Sequence, residues 1–152
     1  MNGGITVVSE NRQARFLYEI QETYEAGIQL TGTEIKSVRA GRANLRDGYA
    51  IIRNREVWLL NVHIAPFQGS GQYFNHEPRR TRKLLLHRRE IDKLSGKIQQ
   101  KGFTLVPVKL YLARGLAKVS LGLAKGKKKY DKRETIKQRE AEKEMQRVVK
   151  RF

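Results

Sequence analysis

The feature that most narrows the fold is a pair of alternating runs late in the chain. Val106, Val108, Leu110 and Leu112 alternate with Leu105, Pro107, Lys109 and Tyr111, the chain turns through Ala113-Arg114-Gly115, and Ala117, Val119, Leu121 and Leu123 return. Successive strand side chains leave on opposite sides, so period-two alternation is the mark of a strand with one buried face. A lone hairpin is marginal in water and needs further strands to cover that face, so the chain is committed to antiparallel β structure. Pro107 has no N–H for a ladder and belongs at an edge or a bulge.

Other segments supply the remaining strands. Tyr18, Ile20, Glu22, Tyr24, Ala26, Ile28 and Leu30 alternate with polar residues, and Gly27 is where so long a strand is expected to bulge or bend. Thr33 before Glu34 to Ala40, with Gly41 after, predicts a helix of about two turns. A hairpin is predicted from Tyr49 to Ile52 and from Val57 to Ile64, with Trp58, Leu60, Val62 and Ile64 on one face and Asn61 and His63 on the other. Lys83 to Leu86 reads as a brief strand, and Ile91, Leu94 and Ile98 before Gly102 as the apolar stripe of a surface helix. The pattern predicts a mainly β fold: a small closed antiparallel OB-like barrel of about six strands with two or three short helices.

At 152 residues the chain has room for one such domain and an extension. Residues 1–10 lack periodicity and are expected to fray, residues 11–124 to form the barrel, and residues 125–152 to form a basic tail. The tail opens with Lys125-Gly126-Lys127-Lys128-Lys129-Tyr130-Asp131-Lys132-Arg133 and continues as a helix-prone stretch with Ala141, Met145, Val148, Val149 and Phe152 on a narrow stripe. Such a segment is expected to be disordered alone and helical against a partner.

Charge identifies the kind of partner. With 32 Lys and Arg against 15 Asp and Glu, the net charge of +17 calls for a polyanion, and nucleic acid is the leading class. No apolar run reaches the length that spans a bilayer, and the N-terminus lacks a signal pattern. The absence of cysteine removes disulfides and thiolate metal sites and makes the cytoplasm the default location. His63, His76 and His87 have no ligand spacing, so neither a metal nor another cofactor is expected, and no nucleophile–base motif suggests an enzyme. The long loop over residues 66–82 sets Tyr73 and Phe74 beside Arg79, Arg80 and Arg82, which reads either as packing or as base stacking with phosphate contacts. Small residues beside Lys118, namely Ser120, Gly122 and Ala124, would let an RNA backbone come close. Glu25 reads either as a solvated residue or as an acceptor for a base N–H.

Four blocks occurring in order carry a family resemblance: Glu25-Ala26-Gly27-Ile28-Gln29-Leu30-Thr31-Gly32-Thr33-Glu34-Ile35-Lys36-Ser37, Arg39-Ala40-Gly41-Arg42-Ala43-Asn44-Leu45, Arg82-Lys83-Leu84-Leu85-Leu86-His87-Arg88-Arg89-Glu90-Ile91, and Ala124-Lys125-Gly126-Lys127-Lys128 leading to Asp131-Lys132-Arg133. From Asn11 to about Lys150 the chain resembles bacterial small protein B, the SsrA-binding family that partners transfer-messenger RNA (tmRNA) in trans-translation. The resemblance implies a non-enzymatic, monomeric adaptor that grips the tRNA-like domain of tmRNA. It further implies support for alanyl-tRNA synthetase and delivery with elongation factor Tu to stalled ribosomes.

By that resemblance, Asn11, Glu25, Leu85 and Lys118 are tmRNA-binding positions, while Gly126, Lys127, Lys128, Asp131, Lys132 and Arg133 belong to a tail that engages small-subunit rRNA and folds in the empty mRNA channel. Phe16 stands where the family usually has His, at a position expected near the decoding centre, and phenylalanine can stack but neither donate a hydrogen bond nor titrate. A ribosome-associated structural OB protein with a basic extension is the alternative that composition alone leaves open.

Overall fold

The computed structural model describes residues 4–69, 75–100, 102–127 and Arg139. In chain order these form β1 (Ile5–Glu10), α1 (Arg12–Leu17), β2 (Tyr18–Ile28), α2 (Gly32–Arg39), β3 (Ala43–Asn44), β4 (Tyr49–Arg53), β5 (Glu56–Leu60), β6 (His63–Ile64), β7 (Arg82–Leu85), α3 (Arg88–Ile98), β8 (Phe103–Ala113) and β9 (Leu116–Gly126). Six strands run in the order β8-β4-β5-β7-β2-β9, and β9 pairs back to β8, so the sheet closes into a ring. Every pairing is antiparallel, and the expected mainly β, OB-like architecture is present. The seam between β4 and β8 is the thinnest, held at the single pair Ala50 and Leu105.

Both long hairpins turn through two residues with positive φ, Asn54 and Arg55 in one and Arg114 and Gly115 in the other. That is the arrangement whose twist suits adjoining strands. Ala26, Val57, Leu59, Leu84, Leu105, Leu110, Val119, Leu121 and Leu123 fill the ring, and Val38, Leu45, Ile91 and Leu94 join the same core.

Simple alternation fails where strands bulge. In β8 an extra residue, Val108, sits between the pairs Pro107–Leu121 and Lys109–Ser120, the place where a residue without an N–H is tolerated. The phase therefore reverses: Leu105, not Val106, shares the main core with Leu110. Val106 instead packs in a second cluster with Ala14 and Ala124. In β2 the bulge falls between Ile20 and Glu22 rather than at Gly27, and it sends Tyr18 and Ile20 to that second cluster while Ala26 stays in the main one. The expected face of Trp58, Leu60, Val62 and Ile64 is likewise corrected. Val57 and Leu59 point inward, Asn61 takes a φ of 61°, and the inward set resumes at Val62 and Ile64.

Three further expectations change. Ile5–Glu10, expected to fray, pair with β8 from Ile5–Ala113 to Glu10–Lys109, because β4 leaves that edge of β8 open. The start of α2 is capped by Thr31, not Thr33, in a capping box with Glu34. Its end closes as expected on Gly41, whose φ of 77° accompanies bonds from Gly41 N–H to the Val38 carbonyl and from Arg42 N–H to the Ser37 carbonyl. Gly122 and Ala124 are small for packing rather than to admit RNA: both are buried, and a Cβ on Gly122 would lie 2.8 Å from the Val108 side chain.

Glu34 and Arg82, each with no exposed side-chain surface, form an ion pair inside the protein. The Glu34 carboxylate also accepts from Arg80 Nη2 at 2.6 Å and from the Thr31 N–H at 2.9 Å. Arg82 Nη1 and Nη2 donate to the carbonyls of Val62 at 2.8 Å and Pro78 at 3.0 Å. Burial alone would raise the Glu34 carboxyl, but hydrogen bonds from Arg80, Thr31 and Arg82 outweigh it and hold the group below its ordinary value. Removing one partner leaves the other charge buried alone, so Glu34→Ala is expected to cost about 3–5 kcal/mol in denaturant unfolding. Because the folded carboxyl is depressed, its contribution is complete above the unfolded value near pH ~4.3 and is lost as pH falls through the folded value. Wild type should therefore lose more stability than Glu34→Gln on acidification below about pH 4.

Candidate nucleic-acid interface

Strands β7, β2 and β9 lie side by side, and their register brings distant residues to one spot. Gly27 of β2 is paired with Leu85 of β7 on one side and with Lys118 of β9 on the other. Glu25, two residues back on the same outward face, opposes Ser120, and its carboxylate lies 3.3 Å from Lys118 Nζ. Leu85 is 46% exposed and so offers an apolar surface beside the charged pair. With His87 and Glu90 at the start of α3, these residues line a concavity of about 420 Å³ whose floor is the bare backbone at Gly27. Gly27 has no positive φ, and a Cβ there would meet only the Leu85 side chain, at 3.4 Å, so its bareness is not imposed by backbone conformation.

Tyr111 of β8 pairs with Lys118 and borders the same carboxylate. Burial first, and then the charge and hydrogen bonding of Glu25, push its phenol above the ordinary value. An open ion pair of the Lys118–Glu25 kind contributes little to stability, and both groups can exchange partners. Their chemistry suits a phosphate for the ammonium and a base N–H for the carboxylate. Beneath, Glu22 accepts from Lys97 at 2.7 Å and from the Tyr24 hydroxyl at 2.5 Å, tying α3 to β2. The Lys97 bond holds the Glu22 carboxyl low, while burial and then Glu22 push the Tyr24 phenol up to about 12.

Asn11 lies elsewhere and is 3% exposed. Its Oδ1 caps α1 by accepting from the Ala14 N–H at 3.0 Å, and its Nδ2 donates to the carbonyls of Pro107 at 2.8 Å and Leu45 at 3.4 Å. Its amide is thus spent within the fold, and its local task is to anchor α1. That helix carries half-buried Phe16, whose ring centroid lies 4.4 Å from the Arg139 guanidinium. Phe16, Arg12, Arg46 and Arg139 share a second concavity of about 510 Å³.

Gly126 is the last residue of β9, paired with Tyr18, and the Lys127 N–H donates to the Leu17 carbonyl at 3.1 Å. The strand therefore runs past the expected boundary at residue 124 and fixes the tail's origin beside the end of α1. Lys128, Asp131, Lys132 and Arg133 lie outside the described residues, as do Tyr73 and Phe74. Arg80 and Arg82 are occupied by Glu34 rather than presented to phosphate, and Arg79 donates to Asn61 Oδ1 at 2.8 Å. His76 is a clip: its Nε2 donates to the Ile64 carbonyl at 2.9 Å, and in the neutral ring Nδ1 accepts from the Thr33 hydroxyl at 2.9 Å. No metal-holding group of His, Asp and Glu occurs among the described residues.

Sequence reasoning missed α1 and Tyr111. Asn11 ahead of Arg12-Gln13-Ala14-Arg15-Phe16-Leu17 was a legible cap signal, whereas the bulge at Val108 hid the side to which Tyr111 belongs.

A closed β ring of OB-like type with a strongly basic composition and a lysine–carboxylate–bare backbone patch defines the class: a small basic β protein built to face a polyanion. The chain belongs to the SmpB family, whose model, described as SmpB protein, matches residues 8–151. An SsrA-binding protein of Gloeothece citriformis is 67% identical over 151 residues, covering 99% of this chain and 97% of that protein. An SsrA-binding protein of Nostoc punctiforme is 63% identical over 151 residues, with the same coverage of 99% and 97%. Among solved structures, a chain described under "tmRNA-SmpB: a journey to the center of the bacterial ribosome" is similar with a TM-score of 0.67 and 53% identity, covering 84% of this chain and 92% of that one.

The buried and open positions should separate in stability measurements. Asn11→Ala removes a cap and two further bonds and is expected to lower unfolding free energy by about 2 kcal/mol or more. Lys118→Ala, by contrast, should change it by less than about 1 kcal/mol.

Proposed function

We propose that this protein is a non-enzymatic RNA-binding adaptor that binds the tRNA-like domain of tmRNA and brings it to stalled ribosomes for trans-translation. The observation that carries this reading is the convergence of Glu25, Leu85 and Lys118 around Gly27, three residues from three strands on one open patch. The names of the relatives and of the similar solved structure support the same RNA and the same ribosomal setting. In this reading Lys118 holds a phosphate, Glu25 accepts from a base, and Leu85 packs against the exposed face of a sugar or base. Asn11 contributes by fixing α1 rather than by touching RNA.

The tail, beginning at Gly126 and Lys127 and including Lys128, Asp131, Lys132 and Arg133, enters the vacant mRNA channel and folds there as a helix, while Phe16 stacks near the decoding centre in place of the usual imidazole. Action with alanyl-tRNA synthetase and elongation factor Tu, and a cytoplasmic location as a monomer, belong to the same proposal. No described helix is long and apolar enough to cross a membrane.

The test is to titrate the tRNA-like domain of tmRNA against Glu25→Ala and Lys118→Ala in a mobility-shift assay. Each variant is expected to bind about 5- to 100-fold more weakly with an unchanged fold, as loss of one charged contact predicts. Wild-type affinity in both would refute the patch assignment. A chain ending at Tyr130 should keep most RNA affinity yet fail to support peptide tagging on stalled ribosomes, and parallel loss of both would refute that division of labour.

A further inference from the structure

The outer face of the β4–β5 hairpin carries apolar and aromatic residues that the ring does not use. Tyr49 is paired with Leu60 and Ile51 with Trp58, and Tyr49 and Ile51 are 43% and 37% exposed. Ile51, Trp58, Leu60 and Thr81 line a concavity of about 390 Å³ together with Arg53 and Glu56. The inward residues of this hairpin, Val57 and Leu59, already fill the core, so packing does not account for an indole on the outside.

This face is continuous with the Glu25–Lys118 patch by two routes. Along the sheet, Trp58 pairs with Lys83, and Leu85 lies two residues beyond Lys83 on the same side of β7. Around the hairpin tip, the Arg55 carbonyl accepts from Arg88 at 3.2 Å, and Arg88 follows His87 on the rim of the patch. The margin between them is cationic: Arg53, Arg55, Lys83, Arg88 and Arg89 stand against three acids, Glu56 and Asp92, which pair with Lys83 at 3.6 Å and with Arg55 at 3.4 Å, and Glu90 in the first turn of α3.

We infer that the outer face of β4 and β5 is a second RNA subsite, in which an unpaired base stacks against Trp58 and its backbone phosphates lie along Arg53 and Lys83. Indole rings are strong, sequence-tolerant stacking platforms, and flanking cations supply the phosphate contacts that hold a strand across them. A polar rim suits a protein partner as well, so RNA is favoured by the sign of the charge and by continuity: the margin is basic, as phosphate contact requires, and it leads directly into the patch described above. The subsite extends the RNA-binding reading and rests on it.

Trp58 is the only tryptophan in the chain, so its emission reports on this face alone. The experiment titrates the tRNA-like domain of tmRNA, with its adjoining single-stranded segments, into the full-length protein and follows Trp58 fluorescence beside an independent mobility shift. Stacking is expected to quench the emission by about half or more, with the midpoint of the shift. Trp58→Ala should weaken binding about tenfold while Trp58→Phe recovers most of it, as base–aromatic stacking predicts. Circular dichroism of both variants tests whether the fold is kept. RNA binding in the shift assay with unchanged emission would overturn the subsite and leave the Glu25–Lys118 patch standing. Emission that responds to RNA-free ribosomal proteins but not to RNA would assign the face to a protein and also overturn it. Absence of any shift by wild type would overturn the RNA reading and the subsite together.

Discussion

The ion pair of Glu34 and Arg82 is the constraint on which the outer surface depends. Two charges removed from water are tolerated only when well bonded, and here every nitrogen of Arg82 and both oxygens of Glu34 have a partner, Arg80, the Thr31 N–H and the carbonyls of Val62 and Pro78 completing the set. Each bond joins a different part of the chain: α2 begins at Thr31, the segment after β5 passes Val62, the long loop returns at Pro78, and β7 starts at Arg82. The pair therefore fixes where β7 enters the ring and, three residues on, where Leu85 emerges. Leu85 meets Gly27 across the ladder, so the floor of the patch inherits its position from a charge cluster on the other side of the same strand.

The ring explains how residues far apart in sequence converge without a binding loop. Gly27 belongs to the one strand that lies between β7 and β9, and a residue between two ladders has its neighbours set by both registers. A slip of one residue in either ladder would turn Leu85 or Lys118 inward and bury it. The bulges at Gln21 and Val108 act in the same direction. They let β2 and β8 change face where Gly122 and Ala124 leave room, so one end of the ring supports α1 with a separate small cluster while the other keeps the main core. The Asn11 cap holds α1 on that cluster, which sets Phe16 beside the origin of the tail.

Much of this was legible in the residues themselves, and the misses share a cause. The alternation through Ala117, Val119, Leu121 and Leu123 located β9 and its buried face, and Arg114-Gly115 located its turn, because local side-chain period and turn chemistry decide both. The alternation puts Trp58 and Val106 on the wrong side because one inserted residue reverses a period-two pattern; Pro107 marks an edge or bulge without saying which, and nothing local marks the reversal at Asn61. Thr33 reads as the cap by adjacency to Glu34, although Thr31-Gly32-Thr33-Glu34 carries the capping-box spacing through which Glu34 reaches back to the Thr31 N–H. The loop of Arg80 and Arg82 reads either as packing or as phosphate contact because a cation in a loop looks the same whether it faces water or a buried carboxylate forty-odd residues away. Lys118 and Glu25 stood out by their strand faces and Leu85 by family resemblance, and only the registers of β2 with β7 and β9 bring them together.

The internal partners of Arg80 and Arg82 also change what a net charge of +17 means. Positive charge by itself draws the chain to any phosphate backbone, and cations such as Arg82 are withheld from that attraction by internal partners. At the patch the withholding is partial: Lys118 sits 3.3 Å from Glu25, so a phosphate that takes the ammonium must do so against a nearby carboxylate. A ligand offering phosphate alone leaves Glu25 repelled and unpaired, whereas one that presents a phosphate and a base N–H at matching separation satisfies both groups. The carboxylate thereby lowers affinity for polyanions in general more than for the right folded RNA, and that difference is what specificity requires.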